Sequence, residues 1–362
     1  MKGGLGWIIG IILVVMVLAL LFLIPKETGT VKVGVLTPIS GPAAFYGESI
    51  VNGIDCAKQL VNENGGINGR RIELVVEDSK CDGATAVTAA QKLINVDGVS
   101  GIVGEACSAA VISMGSIAEN SKVVVIASAA SNPKVTENPY LFRVNPNDLA
   151  QSEAIAGYIK ENFGLKKVGI LAQNDEYGIG LVDEFKKRYI ALGGEIKATE
   201  LFTPDAKDFR TQLTKLGSSN FDVLFITALP AQHPEIAKQI NELGKNWTKI
   251  ADFNFGTVPE DSKNSAMKGT IYPTSIFYET VNSNAKFLSE CIRAKGKTAD
   301  VLAAWGFDAL YVFANSAEKC TKVTGECVKE NLIGLSFDGA YGQNRITDKQ
   351  EIEKINSIFL ID

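Results

Sequence analysis

Short apolar runs alternate with amphipathic stretches along the chain from residue 31 onward. The run "VKVGVLTP" predicts a strand, and residues 47–62 place Ile50, Ile54 and Ala57 on one helical face. The glycine-rich turn "GGINGR" ends this helix, and "RIELVVED" predicts the next strand. Strands and helices that alternate in this way are typical of a parallel sheet covered by helices on both faces.

The alternation predicts two such blocks. In the first, strands "SGIVG" and "KVVVIAS" and the extended stretch "YLFRVNP" follow, with helices over 84–96 and 108–120. The pattern restarts with a helix over 149–163 and continues through "KKVGILAQ", "EIKATELF", "FDVLFITA" and "TKIADFN". The predicted fold class is therefore α/β, with two doubly wound, Rossmann-like lobes of parallel sheet.

The first residues carry a different pattern. Residues 7–24 are an uncharged apolar run, preceded by Lys2, that is long enough to span a bilayer. Because the run lacks a small-x-small cleavage site, we expect residues 1–30 to hold an uncleaved signal anchor and a short linker, with a cleaved signal peptide as the alternative. Lys2 then places the later residues outside. The expected location is the extracytoplasmic face of the membrane, or periplasmic or secreted if the segment is cleaved.

Composition excludes one class of partner. The 362 residues are 46% hydrophobic and 21% charged, which is typical of a globular protein. Lys and Arg number 36 against 41 for Asp and Glu, and no basic block occurs. We therefore expect no nucleic-acid partner.

The sequence also contains few of the motifs that indicate a catalytic, cofactor or metal site. His233, in "AQHPE", is the single histidine and is expected to open a solvent-facing helix, which weighs against Ser-His-Asp, Cys-His and HExxH sites. No P-loop motif occurs, and "YGIGLVDE" lacks the third glycine of a dinucleotide site. Six cysteines without C-x-x-C spacing favour disulfides over metal in an exported protein. We expect no catalytic residue, metal or cofactor.

Ligands of doubly wound sheets bind at the carboxyl ends of the strands. The segment "GEACSAAV" lies where a predicted strand ends and a helix begins, so it is a nucleophile site, an anion site or a stapled corner of the fold. Ser108 falls in the first turn of that helix. There its hydroxyl, its N–H and the helix dipole can hold a carboxylate.

Several of these segments together resemble a known family. "VKVGVLTPISGPAAFYGES", "GEACSAA", "VVVIASAASNPKVT", "NDEYGIG" and "WGFDAL" resemble the type I periplasmic binding proteins, nearest to the Leu/Ile/Val-binding-protein-like solute-binding subunits of ABC importers. The resemblance covers nearly all of residues 31–345. It implies two lobes joined by three hinge crossings near 146–150, 270–276 and 334–340, lobe one being 31–147 plus 275–335 and lobe two 148–274 plus 336–362.

The resemblance also implies a set of ligand-binding residues. Ser131 supplies a second hydroxyl and N–H to the carboxylate held by Ser108, and the Ala129 carbonyl accepts from the ligand's ammonium, with Ala130 in the same segment. Tyr46 and Tyr177 form aromatic walls that face the ligand from opposite lobes. The alternative is that Ser108 and Ser131 only cap helices.

Two positions depart from the family pattern. Asn254 stands where the branched-chain amino-acid binders have an acidic residue for the ammonium group, and Leu229 replaces a tyrosine. A neutral amide attracts an ammonium less than a carboxylate does, which leaves open a carboxylate ligand with a neutral far end, such as an amide or a urea-like compound. Asp175 or Asp252 could restore the charge, or be surface or helix-start residues.

Two disulfides are expected. The resemblance implies a bridge between Cys81 and Cys107. Cys320 and Cys327 flank the turn "TKVTGE" and are interpreted as a second, small-ring bridge. Cys56 and Cys291 stay unassigned.

The predicted function is that of an extracytoplasmic solute-binding protein, not an enzyme. It captures a small carboxylate-bearing ligand, an amino acid or a related amide or urea-like compound, and delivers it to an ABC permease. The expected partners are this ligand, the permease and the membrane. The alternative is an extracellular sensor, which is disfavoured because only six residues precede the apolar run and leave no room for an output domain.

Overall fold

Two mainly parallel sheets, each covered by helices, form the architecture of the described residues. The computed structural model describes residues 29–353 and 359–361. The predicted anchor over residues 7–24 lies outside this part. Among the described residues, no helix has the length and apolar character needed to cross a membrane.

The first sheet builds lobe one and is parallel throughout, with the strand order β2-β1-β3-β4-β5. Its strands are β1 (Thr30–Thr37), β2 (Arg71–Asp78), β3 (Ile102–Val103), β4 (Val125–Ala127) and β5 (Leu141–Arg143). The helices between them are α1 (Ala44–Glu63), α2 (Gly83–Lys92), which continues into a π-helical turn (Leu93–Asp97), α3 (Ser108–Ser121) and a 3-10 helix (Pro133–Glu137).

The second sheet builds lobe two, and its first five strands are parallel to one another. They are β6 (Lys167–Gln173), β7 (Glu195–Phe202), β8 (Val223–Thr227), β9 (Thr248–Ala251) and β10 (Thr270–Thr274). The helices are α4 (Asp148–Phe163), α5 (Glu176–Ala191), α6 (Arg210–Gly217) and α7 (His233–Glu242). Short 3-10 helices cover Pro230–Gln232, Phe253–Thr257, Glu260–Ser262 and Ser265–Met267. The predicted α/β fold with two parallel-sheet lobes is confirmed.

The chain then returns to lobe one. It adds α8 (Ser283–Ala294), α9 (Val301–Ala317), α10 (Gly325–Leu332) and an antiparallel hairpin of β11 (Ser336–Gly339) and β12 (Gly342–Arg345). Strand β13 (Phe359–Ile361) lies antiparallel to β10 at the edge of the second sheet, which gives the order β13-β10-β9-β8-β6-β7.

This return corrects the predicted boundary of lobe two at residue 336. Phe337, Ile346 and Ile352 pack in the same apolar core as the first sheet. The buried guanidinium of Arg143 in β5 also pairs with Glu351, with Nη2 and Oε2 2.8 Å apart. Residues 336–352 therefore belong to lobe one, because burying their apolar side chains there removes them from water.

Several helices begin at a short polar side chain, the residue type that is preferred at the N-cap position. Asp82, Asn147 and Asp175 each accept a backbone N–H from the first turn of α2, α4 and α5, respectively. Asp300 does the same for α9. These caps fix the positions at which the loops after the strands turn into helices.

Helices α1 and α9 pack with their backbones close together. A side chain at Gly53 would put its Cβ 1.9 Å from the Ala303 oxygen, and one at Gly306 would come 2.4 Å from the Ile50 oxygen. Glycine is therefore required at both positions. The close packing fixes Tyr46 near the start of α1 and Trp305 on α9 relative to each other.

Three disulfides join elements of lobe one. Cys81 is bonded to Cys107, Cys320 to Cys327, and Cys56 to Cys291. The last of these pairs links α1 to α8 across 235 residues of sequence.

Candidate functional site

The largest concentration of predicted ligand residues lies in a cleft between the two lobes. Its walls come mainly from residues that follow the carboxyl ends of the strands, as expected for this class of sheet. The lining residues are Tyr46, Cys81, Ala106, Cys107, Ser108, Ala109, Ala129, Ser131, Asn145, Pro146, Asn147, Gln151, Asp175, Tyr177, Leu229, Phe253, Asn254, Pro273, Ser275 and Trp305.

Ser108 is the first residue of α3, and its side chain is buried against the segment after β4. Its hydroxyl oxygen accepts a 3.2 Å hydrogen bond from the Asn132 backbone N–H. The N-cap of α3 is Cys107, and that of the 3-10 helix after Ser131 is Asn132. Neither Ser108 nor Ser131 is therefore a capping residue, which removes the main support for the alternative interpretation of this pair.

Ser131 is held by its backbone. Its carbonyl accepts from the Asp148 N–H at 2.9 Å and from Arg143 Nη1 at 3.0 Å. Burial raises the pKa of the Asp148 carboxyl to about 7, against the Ser131 hydroxyl and the Arg143 guanidinium, which lower it. A carboxyl that can be neutral near pH 7 thus lies directly behind Ser131.

A second buried carboxyl lies under the start of α3. Oε1 of Glu105 accepts from the backbone N–H groups of Ala106 at 2.9 Å and Cys107 at 2.8 Å. Burial raises the pKa of Glu105 to about 7, while the hydrogen bond from Cys107 acts in the opposite direction. This side chain fixes the loop that presents Ser108 to the cleft.

The two predicted aromatic walls come from different lobes. Tyr46 on α1 donates its hydroxyl proton to Asn254 Oδ1 at 2.5 Å, and Tyr177 on α5 donates to Asp252 Oδ2 at 2.9 Å. Burial raises the pKa of both hydroxyls, so both stay protonated at neutral pH. Each oxygen keeps a lone pair with which it can accept from a ligand.

Asn254 is neutral, and Asp252 does not supply a negative charge to the cleft in its place. Asp252 is fully buried and accepts from Tyr177, from the Ala228 N–H at 3.1 Å and from His233 at 2.9 Å. Asp175 does line the cleft, but its Oδ1 accepts from the Gly178 N–H at 2.8 Å as the N-cap of α5. Burial raises the pKa of Asp175.

Two expectations are wrong in detail. Ala130 does not line the cleft, because its side chain is fully buried in the core of lobe one. His233 begins α7, as expected, yet its ring is buried rather than solvent-facing. Its bond to Asp252 holds the ring in place.

Sequence reasoning missed other parts of the wall. Phe253 and Trp305 line the cleft with their ring centroids 5.6 Å apart, and Gln151 Oε1 accepts from the Phe253 N–H at 2.6 Å. Phe253 follows β9 and could have been found from the strand-end rule. Trp305 lies inside a helix, where no such rule applies. Among the described residues, no group of three or more His, Cys, Asp or Glu side chains could hold a metal ion.

Comparisons with known proteins agree with this architecture. The family model described as "Periplasmic binding protein" matches residues 30–356. The Leu/Ile/Val-binding protein BraC3 of Rhizobium johnstonii is 28% identical over 305 residues, covering 82% of this chain and 81% of that protein. The leucine-, isoleucine-, valine-, threonine- and alanine-binding protein of Pseudomonas aeruginosa is 26% identical over 334 residues, covering 90% and 88%.

Solved structures give the same result. The leucine-binding protein LivK of Thermotoga maritima has a TM-score of 0.82 and 27% identity, covering 92% of this chain and 98% of that one. The substrate-binding protein LivJ of Streptococcus pneumoniae, in complex with isoleucine, has a TM-score of 0.81 and 25% identity, covering 92% and 95%. The chain therefore belongs to the periplasmic binding protein family, as a type I, Leu/Ile/Val-binding-protein-like solute-binding protein and not an enzyme.

Proposed function

We propose that this protein captures a small carboxylate-bearing ligand, an amino acid or a related amide or urea-like compound, in the cleft between its lobes and delivers it to an ABC importer. One observation carries this proposal: Ser108, Ser131, Tyr46 and Tyr177 all line the same cleft. The two serines and Tyr46 belong to lobe one, and Tyr177 belongs to lobe two. One small ligand can therefore contact both lobes.

The carboxylate would bind at the serine pair. The hydroxyls donate to it, and the first N–H groups of α3 lack partners within the helix and point toward an anion in front of them. The proposal needs Glu105 and Asp148 to be largely neutral, because ionised carboxylates so close would repel the ligand. Burial raises the pKa of both groups to about 7, so both carboxyls are largely neutral below that pH.

The nitrogen end of the ligand would meet neutral acceptors. The Ala129 carbonyl and the oxygens of Tyr46 and Tyr177 have free lone pairs for an ammonium or an amide N–H. The relatives described as Leu/Ile/Val-binding proteins support an amino acid, whereas the neutral side chain of Asn254 favours the wider class that includes amides.

A membrane anchor would keep the protein near its importer. We propose that residues 7–24 anchor the chain to the extracytoplasmic face of the membrane, because the run is apolar and long enough to span the bilayer. The ABC permease is proposed as partner from the family to which the chain belongs.

The test is binding of amino acids and their amides to the purified protein, screened by thermal shift and measured by calorimetry. Ser108→Ala and Ser131→Ala each remove one donor to a charged group, which costs about 1.5 to 3 kcal/mol, or roughly 10- to 150-fold in affinity. Ser116→Ala, on the exposed side of α3, is the matched control and should bind as the wild type does.

Amidation of the ligand's carboxylate gives the decisive comparison. The amidated compound should bind far more weakly to the wild type and should be insensitive to both serine substitutions. If the two variants bind the acid as tightly as the wild type but unfold more easily, the serines are structural and the proposed site is wrong.

A further inference from the structure

Trp305 lines the cleft, and the single polar atom of its side chain, Nε1, has no hydrogen-bond partner among the described residues. It lies on α9 with 4% of its surface exposed. An indole N–H can only donate. A buried donor of this kind is rare in folded proteins and costs stability unless something accepts from it.

The ring is held rigidly, so this N–H cannot easily turn elsewhere. Its centroid lies 5.6 Å from Phe253 of lobe two and 5.7 Å from Tyr341 of the β11–β12 hairpin. The neighbouring Gly306 packs directly on the α1 backbone, which fixes the height of α9 beside the cleft.

The surroundings define the kind of acceptor. Within the described part of the chain, the cleft wall contains no lysine or arginine, and its one charged residue is Asp175. A second carboxylate on the ligand would therefore gain no counter-ion there and would face an acidic neighbour. A neutral oxygen, such as a carbonyl, fits the site better.

Asn145 adds an independent observation. It lies on the same cleft wall with 2% of its surface exposed, and its Oδ1 accepts no hydrogen bond from the described residues, while its Nδ2 donates to the Pro146 carbonyl. Among the described lining residues, Trp305 and Asn145 thus add one buried unpaired side-chain donor and one buried unpaired side-chain acceptor. A carboxamide or urea group carries the complement of both.

We propose that the Trp305 indole N–H selects ligands that carry, besides the carboxylate, a neutral hydrogen-bond acceptor of the amide carbonyl type. This inference rests on the proposed function and narrows its ligand class. A ligand with a purely hydrocarbon side group leaves the N–H unpaired, and a site built to bond a polar group rejects the analogue that lacks it.

Isosteric probes test the proposal. L-asparagine and L-leucine have side groups of similar shape, one with a carboxamide and one with methyl groups, and succinamate and isocaproate form the same pair without the ammonium. Calorimetry on the wild type should show the carboxamide member of at least one pair binding about 10- to 100-fold more tightly. In Trp305→Phe, which keeps an aromatic ring but removes the donor, that ratio should fall to about one. The control Trp247→Phe, whose ring packs on Phe221 away from the cleft, should keep it.

A second measurement does not depend on the variant's folding. In the wild type, the Trp305 indole proton signal, assigned by elimination in a protein that carries both Trp7→Phe and Trp247→Phe, should shift downfield with the carboxamide probe and not with its hydrocarbon partner. Equal or tighter binding of the hydrocarbon probes overturns the inference and leaves the proposed function standing. A carboxamide preference that survives Trp305→Phe, without the indole shift, also overturns it. Failure of all four probes to bind rejects the carboxylate site itself, and the inference with it.

Discussion

The hydroxyl of Tyr46 donates a 2.5 Å hydrogen bond to Asn254 Oδ1, a residue 208 positions later in the chain and in the other lobe. Asn254 Nδ2 in turn donates to the Ala228 carbonyl at 2.7 Å. A carboxylate at position 254 could accept from Tyr46 but could not donate to this carbonyl. These two hydrogen bonds explain why residue 254 is an amide: its side chain links the two lobes across the cleft.

Removing this interlobe bond should make closure less favourable. In Tyr46→Phe we expect ligand affinity to fall by about 0.5 to 1.5 kcal/mol, or roughly 2- to 10-fold, since a typical neutral hydrogen bond contributes that much. X-ray scattering of the ligand-free protein should also show a larger radius of gyration, which loss of a direct ligand contact alone would not cause. Tyr278→Phe, at a tyrosine that is 54% exposed, serves as control. An unchanged radius of gyration would show that the bond does not hold the lobes together.

Ligand binding should depend on pH through Asp148. Its neighbours are the Ser131 hydroxyl, the Arg143 guanidinium and the carboxylates of Asp252 and Glu184. Because the pKa of Asp148 is raised to about 7, the group is mostly neutral below that pH and ionised above it. A bound carboxylate favours the neutral form, so affinity should fall by up to about tenfold for each pH unit above 7.

Calorimetry measures this linkage directly. At pH 7, heats of binding in two buffers of different ionisation enthalpy should reveal proton uptake by the protein. Asp148→Asn should flatten the pH profile, and Glu105→Gln, at the other buried carboxyl near the site, should flatten it in part. The control is Asp183→Asn on the exposed side of α5. A wild-type affinity that stays constant between pH 6 and about 8.5 would contradict the linkage.

The sequence predicted the cleft where a local rule applied and failed where position depends on distant packing. Parallel strands end at one edge of a sheet, so the strand pattern placed Ser108 at the edge of the first sheet, whereas the family resemblance was needed to place Ser131 and Tyr177 with it. Trp305 could not be placed in this way, because its position beside the cleft depends on the close packing of α9 against α1, where Gly53 faces Ala303 and Gly306 faces Ile50. Ala130 was misplaced because the direction of a side chain in the irregular segment after β4 follows from no local pattern.

The end of lobe one was missed for a similar reason. The β11–β12 hairpin is short and carries few apolar residues, so it gives a weak sequence signal. Its attachment depends on Asp308 of α9, whose carboxylate accepts from the backbone N–H groups of Ala340 at 2.5 Å and Tyr341 at 3.2 Å. A contact across 32 residues leaves no local pattern.

Asp308 should make the protein less stable as the pH rises. Burial raises its pKa to about 8, from 3.8 in the unfolded chain, against the hydrogen bonds from Ala340 and Tyr341. The folded state therefore binds this proton more tightly. Its contribution to the free energy of unfolding is fully present below pH 3.8 and is lost as the pH rises through 8, by up to about 1.4 kcal/mol per pH unit.

Urea unfolding between pH 5 and about 8.5 tests this dependence. Asp308→Asn removes the titrating group and should reduce the slope by roughly one proton, whatever its effect on absolute stability. The exposed Asp261, replaced by Asn, should leave the slope unchanged. Parallel profiles for the wild type and Asp308→Asn would show that another group controls the pH dependence.

The three disulfides should contribute unequally to stability because they close loops of different length. On the chain-entropy model, the loop between Cys56 and Cys291 corresponds to about 5.5 kcal/mol, that between Cys81 and Cys107 to about 3.5 and that between Cys320 and Cys327 to about 2.5. Replacing both cysteines of a pair by alanine should therefore lower the free energy of unfolding most for the first pair and least for the third. Denaturant unfolding of the three double variants under oxidising conditions measures this order.

Removal of the Cys81–Cys107 disulfide should affect ligand binding as well as stability, unlike removal of the Cys56–Cys291 disulfide. Both Cys81 and Cys107 line the cleft, and Cys107 precedes Ser108, so removal of their disulfide should weaken ligand binding as well as stability, because the loop that presents the serine loses a constraint. The Cys56–Cys291 variant, whose bridge ties α1 to α8 away from the wall, should lose more stability yet bind nearly as well as the wild type under conditions where it stays folded. If affinity instead follows stability across all three variants, the bridge beside Ser108 has no specific role in the site.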